Sequence, residues 1–262
     1  MSIPLSVELK LTRVQEHIDA LQGEIQMFLN KEPYSVRRVI EGNGSMHVFY
    51  WERYTKPPDR LGLIIGDAVH NLRSALDHVA VALAEDGAAS EGIRMTERES
   101  RHIQFPIASS PDEFASQVRG GRLSHVKPAA QEQIERRQPY ITASVPDNSI
   151  LATLARLDNA DKHHSLITAA HSTGIFMENW PTEVGHSPLQ SPPPPWRYES
   201  GAELGRFVFA EPQPEANLPV TVAFGIVIPE IRRPENVDDL LRTFLAAVVT
   251  TSIRPLCSTF LP

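Results

Sequence analysis

Six polar residues whose side chains bind phosphate, transfer protons or form hydrogen bonds lie close together in the chain: His70, Asn71, Arg73, Ser74, Asp77 and His78. If this segment is a helix, which advances by roughly 100° per residue, the six fall within one arc of about 160°. The opposite arc carries leucines and isoleucines, so the segment is amphipathic. Arg73 and Asp77 are spaced at i,i+4 and can pair. The residue types indicate either a polar network that fixes helix packing or a functional site.

A second polar cluster lies at the end of another predicted helix and consists of Asp158, Asn159, Asp161, Lys162, His163 and His164. Asp158 and Lys162 are spaced at i,i+4 and share a side of that helix with two leucines, so we expect both to point inward. Buried charges need partners, and Arg73, Asp77 and His78 would supply them if the two helices touch. The alternative is a solvated helix end, where the two histidines lie near the negative pole of the helix dipole.

Four long amphipathic patterns predict the helices that must position these clusters, at about residues 6–31, 59–86, 148–170 and 236–253. In the first pattern, apolar residues alternate steps of four and three from Val7 to Phe28, which is typical of a helix that packs against other helices or a second subunit. Asp59 follows two prolines as the expected N-cap of the second helix, and Gly87 is its expected end. Shorter helices are predicted at about residues 111–118 and 128–137.

β-Structure is predicted mainly in two regions of the chain. Residues 34–54 have β-forming side chains on both sides of Asn43-Gly44, which predicts a β-hairpin. Residues 174–229 form a β and loop insertion, in which the proline-rich segment 181–201 is expected to be extended. Individual strands are predicted at about residues 103–107, 174–180, 206–210 and 220–228. These elements together predict an α+β, mainly α fold: a four-long-helix bundle with a β-hairpin after the first helix and a small β insertion before the last.

The bulk composition limits the class of protein. The 262 residues, 41% of them hydrophobic, suffice for one large domain over residues 1–262. The net charge of −7 means that any contact with nucleic acid needs a local positive cleft. The single cysteine, Cys257, excludes an internal disulfide and is expected to be buried. Residues 240–249, the most apolar stretch, are too short to span a bilayer and contain Arg242, and the N-terminal residues lack a signal-peptide core. The sequence therefore predicts a cytoplasmic protein with no membrane partner.

Two segments of the chain resemble a known family. Residues 70–78 read His-Asn-Leu-Arg-Ser-Ala-Leu-Asp-His, and residues 159–163 read Asn-Ala-Asp-Lys-His. An Arg-x4-His motif on a helix of a bundle, followed by Asn-x-x-Lys-His, resembles the HEPN superfamily (higher eukaryotes and prokaryotes nucleotide-binding). The resemblance covers the four long helices. Ser74 departs from it, because active members often have Asn, Asp or His at the position after the arginine.

The resemblance implies a metal-independent endoribonuclease of a toxin or antiviral defence type, with no cofactor. Arg73 would neutralise the scissile phosphate of RNA, and His78 would be the general acid or base during attack by a ribose 2′-hydroxyl, with Asp77 beside them. The residues implied to bind substrate or support the site are His70, Asn71, Ser74, Asn159, Lys162 and His163. Since Arg73 and His78 lie about 140° apart around a helix, we expect a homodimer that shares one cleft. A cognate antitoxin or defence protein would be a further partner.

Two other functions fit the same residues. A non-catalytic bundle of this fold would bind a nucleotide or a partner protein in the cleft without turnover. A metal-dependent hydrolase would use histidines and aspartates as ligands, although the sequence has no His-Glu-x-x-His motif. Phosphate-binding loops, dinucleotide fingerprints and nucleophile elbows are also absent from the sequence, which disfavours common nucleotide-using enzymes and serine hydrolases.

Overall fold

The structure is a computed structural model that describes residues 3–163, 166, 168–177, 199–215, 220–228 and 236–261. His164 and most of the predicted proline-rich segment, residues 181–198, lie outside these described residues. The fold is α+β and mostly helical, as the sequence predicts, with a small three-stranded antiparallel sheet. The chain divides into two compact units, of which the first contains Met1–Leu21, Gly62–Leu166 and Asp238–Pro262 and the second contains Gln22–Leu61 and Ile167–Val237. The single domain over residues 1–262 stays a prediction.

The helices include all those that the amphipathic patterns predict. Their bounds are α1 (Leu5–Leu29), α2 (Asp59–Ser90), α3 (Glu97–Ser100), α4 (Pro111–Arg119), α5 (Pro128–Glu135), α6 (Pro139–Thr142), α7 (Ile150–His163), α8 (Val237–Val248) and α9 (Arg254–Phe260). In α1, the seam residues Val7, Val14 and Ile18 are almost completely buried, as their spacing predicts. Buried leucines of α2 and α7, such as Leu72 and Leu154, add to the core of the first unit.

Two helices end at other residues than predicted. α2 continues past Gly87 to Ser90, because this glycine allows a close backbone approach within the helix instead of ending it. A Cβ at Gly87 would lie 1.8 Å from the carbonyl oxygen of His125. α7 ends at His163 and does not reach residue 170, since the backbone from Ala169 onward pairs with another strand. Strand pairing between distant segments overrides the helical pattern there.

The last helical run is longer than predicted. α8 passes through a π-helical turn at Val249–Ile253 into α9. Pro255 lacks the amide hydrogen that would reach the carbonyl of Thr251, and Nε of Arg137 donates to that oxygen instead, at 2.7 Å. The continuous run Val237–Phe260 is therefore long and apolar enough to cross a membrane by length and composition, which corrects only the prediction that this apolar stretch is too short. This is weak evidence, because the core helix of a soluble protein passes the same test.

Residues 34–54 form the predicted β-hairpin. β1 (Tyr34–Glu41) and β2 (Met46–Tyr54) pair antiparallel. The turn places Asn43 at a φ of 56° and Gly44 at a φ of 93°, which is the left-handed backbone that an Asn-Gly turn provides. The hairpin prediction is confirmed.

The other strands belong to the predicted insertion. Their bounds are β3 (Ala169–Met177), β4 (Glu203–Val208) and β5 (Val220–Val227). β4 pairs with β2 and completes a sheet in the order β1-β2-β4, while β3 pairs antiparallel with β5. The strand predicted at about residues 103–107 is wrong, because these residues have no regular secondary structure and pair with no strand among the described residues.

Candidate functional site

Two glycines on α2 allow a close approach of α7 and the segment after it. A Cβ on Gly62 would lie 2.2 Å from the carbonyl oxygen of Leu166, and a Cβ on Gly66 would lie 2.1 Å from Oδ1 of Asp161. A larger residue at Gly62 would press against backbone, which cannot rotate away as a side chain can. The glycines therefore bring the polar cluster of α7 against the polar face of α2 within the first unit.

Asp158 of α7 is the buried centre of an ionic cluster. Its side chain is only 6% exposed, with Oδ1 3.0 Å from Nδ1 of His70, and Oδ2 accepts a hydrogen bond of 2.6 Å from Nζ of Lys162. Because a carboxylate only accepts, Nδ1 of His70 carries the hydrogen, and Nε2 remains available on a side chain that is 56% exposed. Asp158 is buried, as predicted, whereas the side chain of Lys162 is 53% exposed, so the inward orientation expected for Lys162 is wrong. His70 takes the interhelical role expected for Arg73, Asp77 and His78.

Two further carboxylates lie beside this cluster. Burial raises the pKa of Asp161, the charges of Asp67 and Asp158 raise it further, and His70 opposes them. Burial lowers the pKa of His17 on α1, while Asp67 acts in the opposite direction. Asp67 and Asp161 therefore add two carboxylates beside the cluster of His70, Asp158 and Lys162.

Arg73 and Asp77 hold the irregular segment at Phe105, and we call these three residues the Arg73 clamp. Nη1 of Arg73 donates to Oδ1 of Asp77, and Nη2 donates to the carbonyl oxygen of Phe105, each at 2.8 Å. The backbone N–H of Phe105 donates to the same Asp77 oxygen at 2.8 Å. Burial raises the pKa of Asp77, although Arg73 and this N–H lower it. Both terminal nitrogens of Arg73 are therefore engaged in holding the segment that the sequence predicts to be a strand.

Asn71, Ser74 and His78 follow one another along α2 at steps of three and four, and with Lys10 of α1 they form what we call the open row. Nζ of Lys10 donates to Oδ1 of Asn71 at 3.3 Å. The imidazole of His78 is half-buried and makes no hydrogen bond within the described part of the chain. Burial lowers the pKa of His78, Lys10 lowers it further, and Asp77 acts against them. The open row thus contains a neutral imidazole and a cation.

The remaining predicted site residues, Asn159 and His163, are exposed on α7 and make no side-chain hydrogen bond to any described residue. Sequence reasoning missed Lys10 and Phe105. Lys10 lies next to the apolar residues of α1 that face the core. A lysine at that edge of the helix is close enough to reach a neighbouring helix, and this position is the signal that could have identified it. Phe105 acts through its backbone, which gives no signal in the side-chain pattern.

Metal ligands and a nucleophilic thiol are the other chemistries that the residue types allow. Within the described residues, no group of three His, Cys, Asp or Glu side chains is arranged to hold a metal ion. Cys257 is buried, as expected, and burial raises the pKa of its thiol to about 11. It is therefore a poor nucleophile at neutral pH. Comparison of the chain with models of protein families, with curated proteins and with solved structures finds no match.

Proposed function

We propose that the protein is a metal-independent endoribonuclease of HEPN type, acting in the cytoplasm in toxin or antiviral defence. Its four long helices would form the bundle of that superfamily. The observation that carries the proposal is the state of His78 in the open row. Its ring is half-buried, has no hydrogen-bond partner among the described residues and has a lowered pKa, so it is neutral and able to accept a proton at pH 7.

The open row also supplies a group for the phosphate. Lys10 is a cation near His78, and Asn71 and Ser74 add hydrogen-bonding groups between them. Arg73, to which the resemblance assigns this role, has both terminal nitrogens engaged in the Arg73 clamp. In this proposal Lys10 therefore neutralises the phosphate, and Arg73 acts as a positioning residue that fixes α2 against the segment at Phe105.

The reaction needs no group beyond the RNA and the protein. His78 removes the proton of a ribose 2′-hydroxyl, and the 2′-oxygen forms a bond to the adjacent phosphorus. The bond from phosphorus to the 5′-oxygen of the next nucleotide breaks, and that oxygen takes up a proton. The products are a 2′,3′-cyclic phosphate and a 5′-hydroxyl end. A two-fold dimer would place the open row of each copy along a shared cleft.

The test uses labelled single-stranded RNA at pH 7 in excess EDTA, with DNA of the same sequence in parallel. We expect RNA cleavage with cyclic phosphate ends and intact DNA, because DNA lacks the attacking hydroxyl. His78→Asn should lower the rate by about 10²- to 10⁴-fold, the usual contribution of a general base. His102→Asn, at an exposed histidine of the same unit, is the matched control and should cleave normally.

Three results would reject the proposal: no cleavage by the wild type, cleavage that EDTA abolishes, or equal cleavage by the wild type and His78→Asn. Loss of activity in EDTA would instead favour the metal-dependent hydrolase. Preparing the variants in parallel excludes a contaminating nuclease, since a contaminant would not respond to a single substitution.

A second candidate is a non-catalytic bundle that binds a nucleotide or a partner protein, such as an antitoxin, in the same cleft. The engagement of Arg73 in the clamp favours it, because the strongest phosphate-binding side chain of the motif is already used by the protein itself. Calorimetric titration with nucleotides would separate the two: this candidate predicts binding that Lys10→Met weakens, with no cleavage of RNA.

A further inference from the structure

Cleavage of RNA by its own 2′-hydroxyl requires two proton transfers, and the proposed function assigns only one of them. The attacking oxygen loses a proton to His78, and the departing 5′-oxygen must gain a proton as its bond to phosphorus breaks. An alkoxide is a poor leaving group, so a second residue that donates this proton raises the rate. The donor must be an acid at neutral pH with an accessible proton.

His70 has the geometry of such a donor. Its Nδ1 is bound to the buried Asp158 at 3.0 Å, while its side chain is 56% exposed. A carboxylate at Nδ1 fixes the ring orientation and directs Nε2 outward. The flanking Asp161 and Asp67 add negative charge near the ring. Nζ of Lys162 donates to the other oxygen of Asp158 at 2.6 Å, which holds that carboxylate in place.

We infer that His70, positioned by Asp158, is the second proton-transfer residue and protonates the leaving 5′-oxygen. This inference rests on the proposed function and assigns the acid of the same reaction. His70 and His78 stand in opposite surroundings: His70 lies against a buried carboxylate, whereas His78 lies in the field of Lys10. Two groups in such different surroundings can take different roles in one site, one as the acid and the other as the base.

The spacing of the two histidines places the reaction between two copies of the chain. Eight residues along a helix correspond to about 12 Å, which is too far for both rings to act easily on one phosphate from one α2. In a two-fold dimer, His70 of one copy and His78 of the other would flank the same phosphate.

The deciding experiment compares two substrates. RNA has a leaving group that needs protonation, whereas the nitrophenyl ester of a nucleoside 3′-phosphate has one that does not. We expect His70→Asn to lower RNA cleavage by about 10²- to 10³-fold and to change cleavage of the ester by less than about threefold. His78→Asn should lower both, because both substrates need the base. A merely structural role for His70 would lower both rates equally.

Asp158→Asn tests the positioning role and should follow the pattern of His70→Asn, with a smaller loss on RNA and near-normal cleavage of the ester. If this variant fails to fold, His70→Asn still decides the inference, because Asp158 keeps its hydrogen bond from Lys162 and the His70 side chain is 56% exposed. His102→Asn again serves as the matched control.

A mixture of His70→Asn and His78→Asn tests the shared site. Random reassortment makes half of the dimers mixed, and each mixed dimer has one intact site of two, so about a quarter of the wild-type activity should return. No recovery would overturn the assignment of the two histidines to different copies.

The possible results distinguish a failure of the proposed function from a failure of this inference alone. If the wild type cleaves neither substrate, the endoribonuclease is rejected, and the role of His70 falls with it. If the wild type cleaves both, and His70→Asn retains full activity or loses both activities equally, only the inference about His70 is overturned.

Discussion

Asp77→Ala offers the sharpest test of the interactions that hold the site. This carboxylate accepts two hydrogen bonds of 2.8 Å at one oxygen, from Arg73 and from the backbone N–H of Phe105. Phe105 is completely buried and the side chain of Arg73 is only 13% exposed. Removing the carboxylate therefore leaves a buried amide without an acceptor and a mostly buried guanidinium without its counter-ion.

The cost follows from those two losses. An unsatisfied buried N–H costs about 1–3 kcal/mol. The loss of the ion pair adds less than the roughly 3–5 kcal/mol of a fully buried pair, because Arg73 keeps its bond to the Phe105 carbonyl and Asp77 is 29% exposed. Burial also raises the pKa of Asp77, so removal of this side chain relieves some desolvation. We expect a net loss of about 2–4 kcal/mol in the free energy of unfolding.

Two measurements check this value: urea unfolding followed by circular dichroism, and hydrogen exchange at the Phe105 amide. Asp86→Ala on the same helix is the matched control. Asp86 accepts one bond from Lys127, whose side chain is 43% exposed, so its loss should cost below about 1 kcal/mol. Equal losses for the two variants, or unchanged exchange at Phe105, would refute the view that the clamp holds this segment.

Three further predictions concern packing and protonation. Gly62→Ala should destabilise the first unit, since its Cβ would meet the Leu166 carbonyl oxygen. Gly23→Ala, whose Cβ would enter open space, should stabilise α1 by up to about 1 kcal/mol, and thermal unfolding measures both changes. Because the folded protein lowers the pKa of His78, the unfolded chain binds more protons at this residue. The free energy of unfolding should therefore fall as the pH drops through about 6.5, and its slope against pH should be shallower in His78→Asn. Cys257 should resist a thiol reagent at pH 8 until the protein unfolds, because its thiol is buried and its pKa is raised to about 11.

The amphipathic spacing by itself determined where most helices lie and that six polar residues share one face of α2. The spacing of apolar residues shows which side of a helix meets the core, and it can be seen in one segment without knowledge of the rest of the chain. The same local reasoning found the hairpin, since an Asn-Gly turn needs no distant partner. It also found the pairs one helical turn apart, Arg73 with Asp77 and Asp158 with Lys162.

Only the tertiary structure decided which polar residues meet across helices. His70 meets Asp158 and Lys10 meets Asn71 over sequence separations of 88 and 61 residues. Such contacts depend on how closely two helices approach, and no single segment encodes that distance. The same reason explains why Ala169 and Ala170, predicted as the end of a helix, belong to a strand, since their pairing partners lie far along the chain.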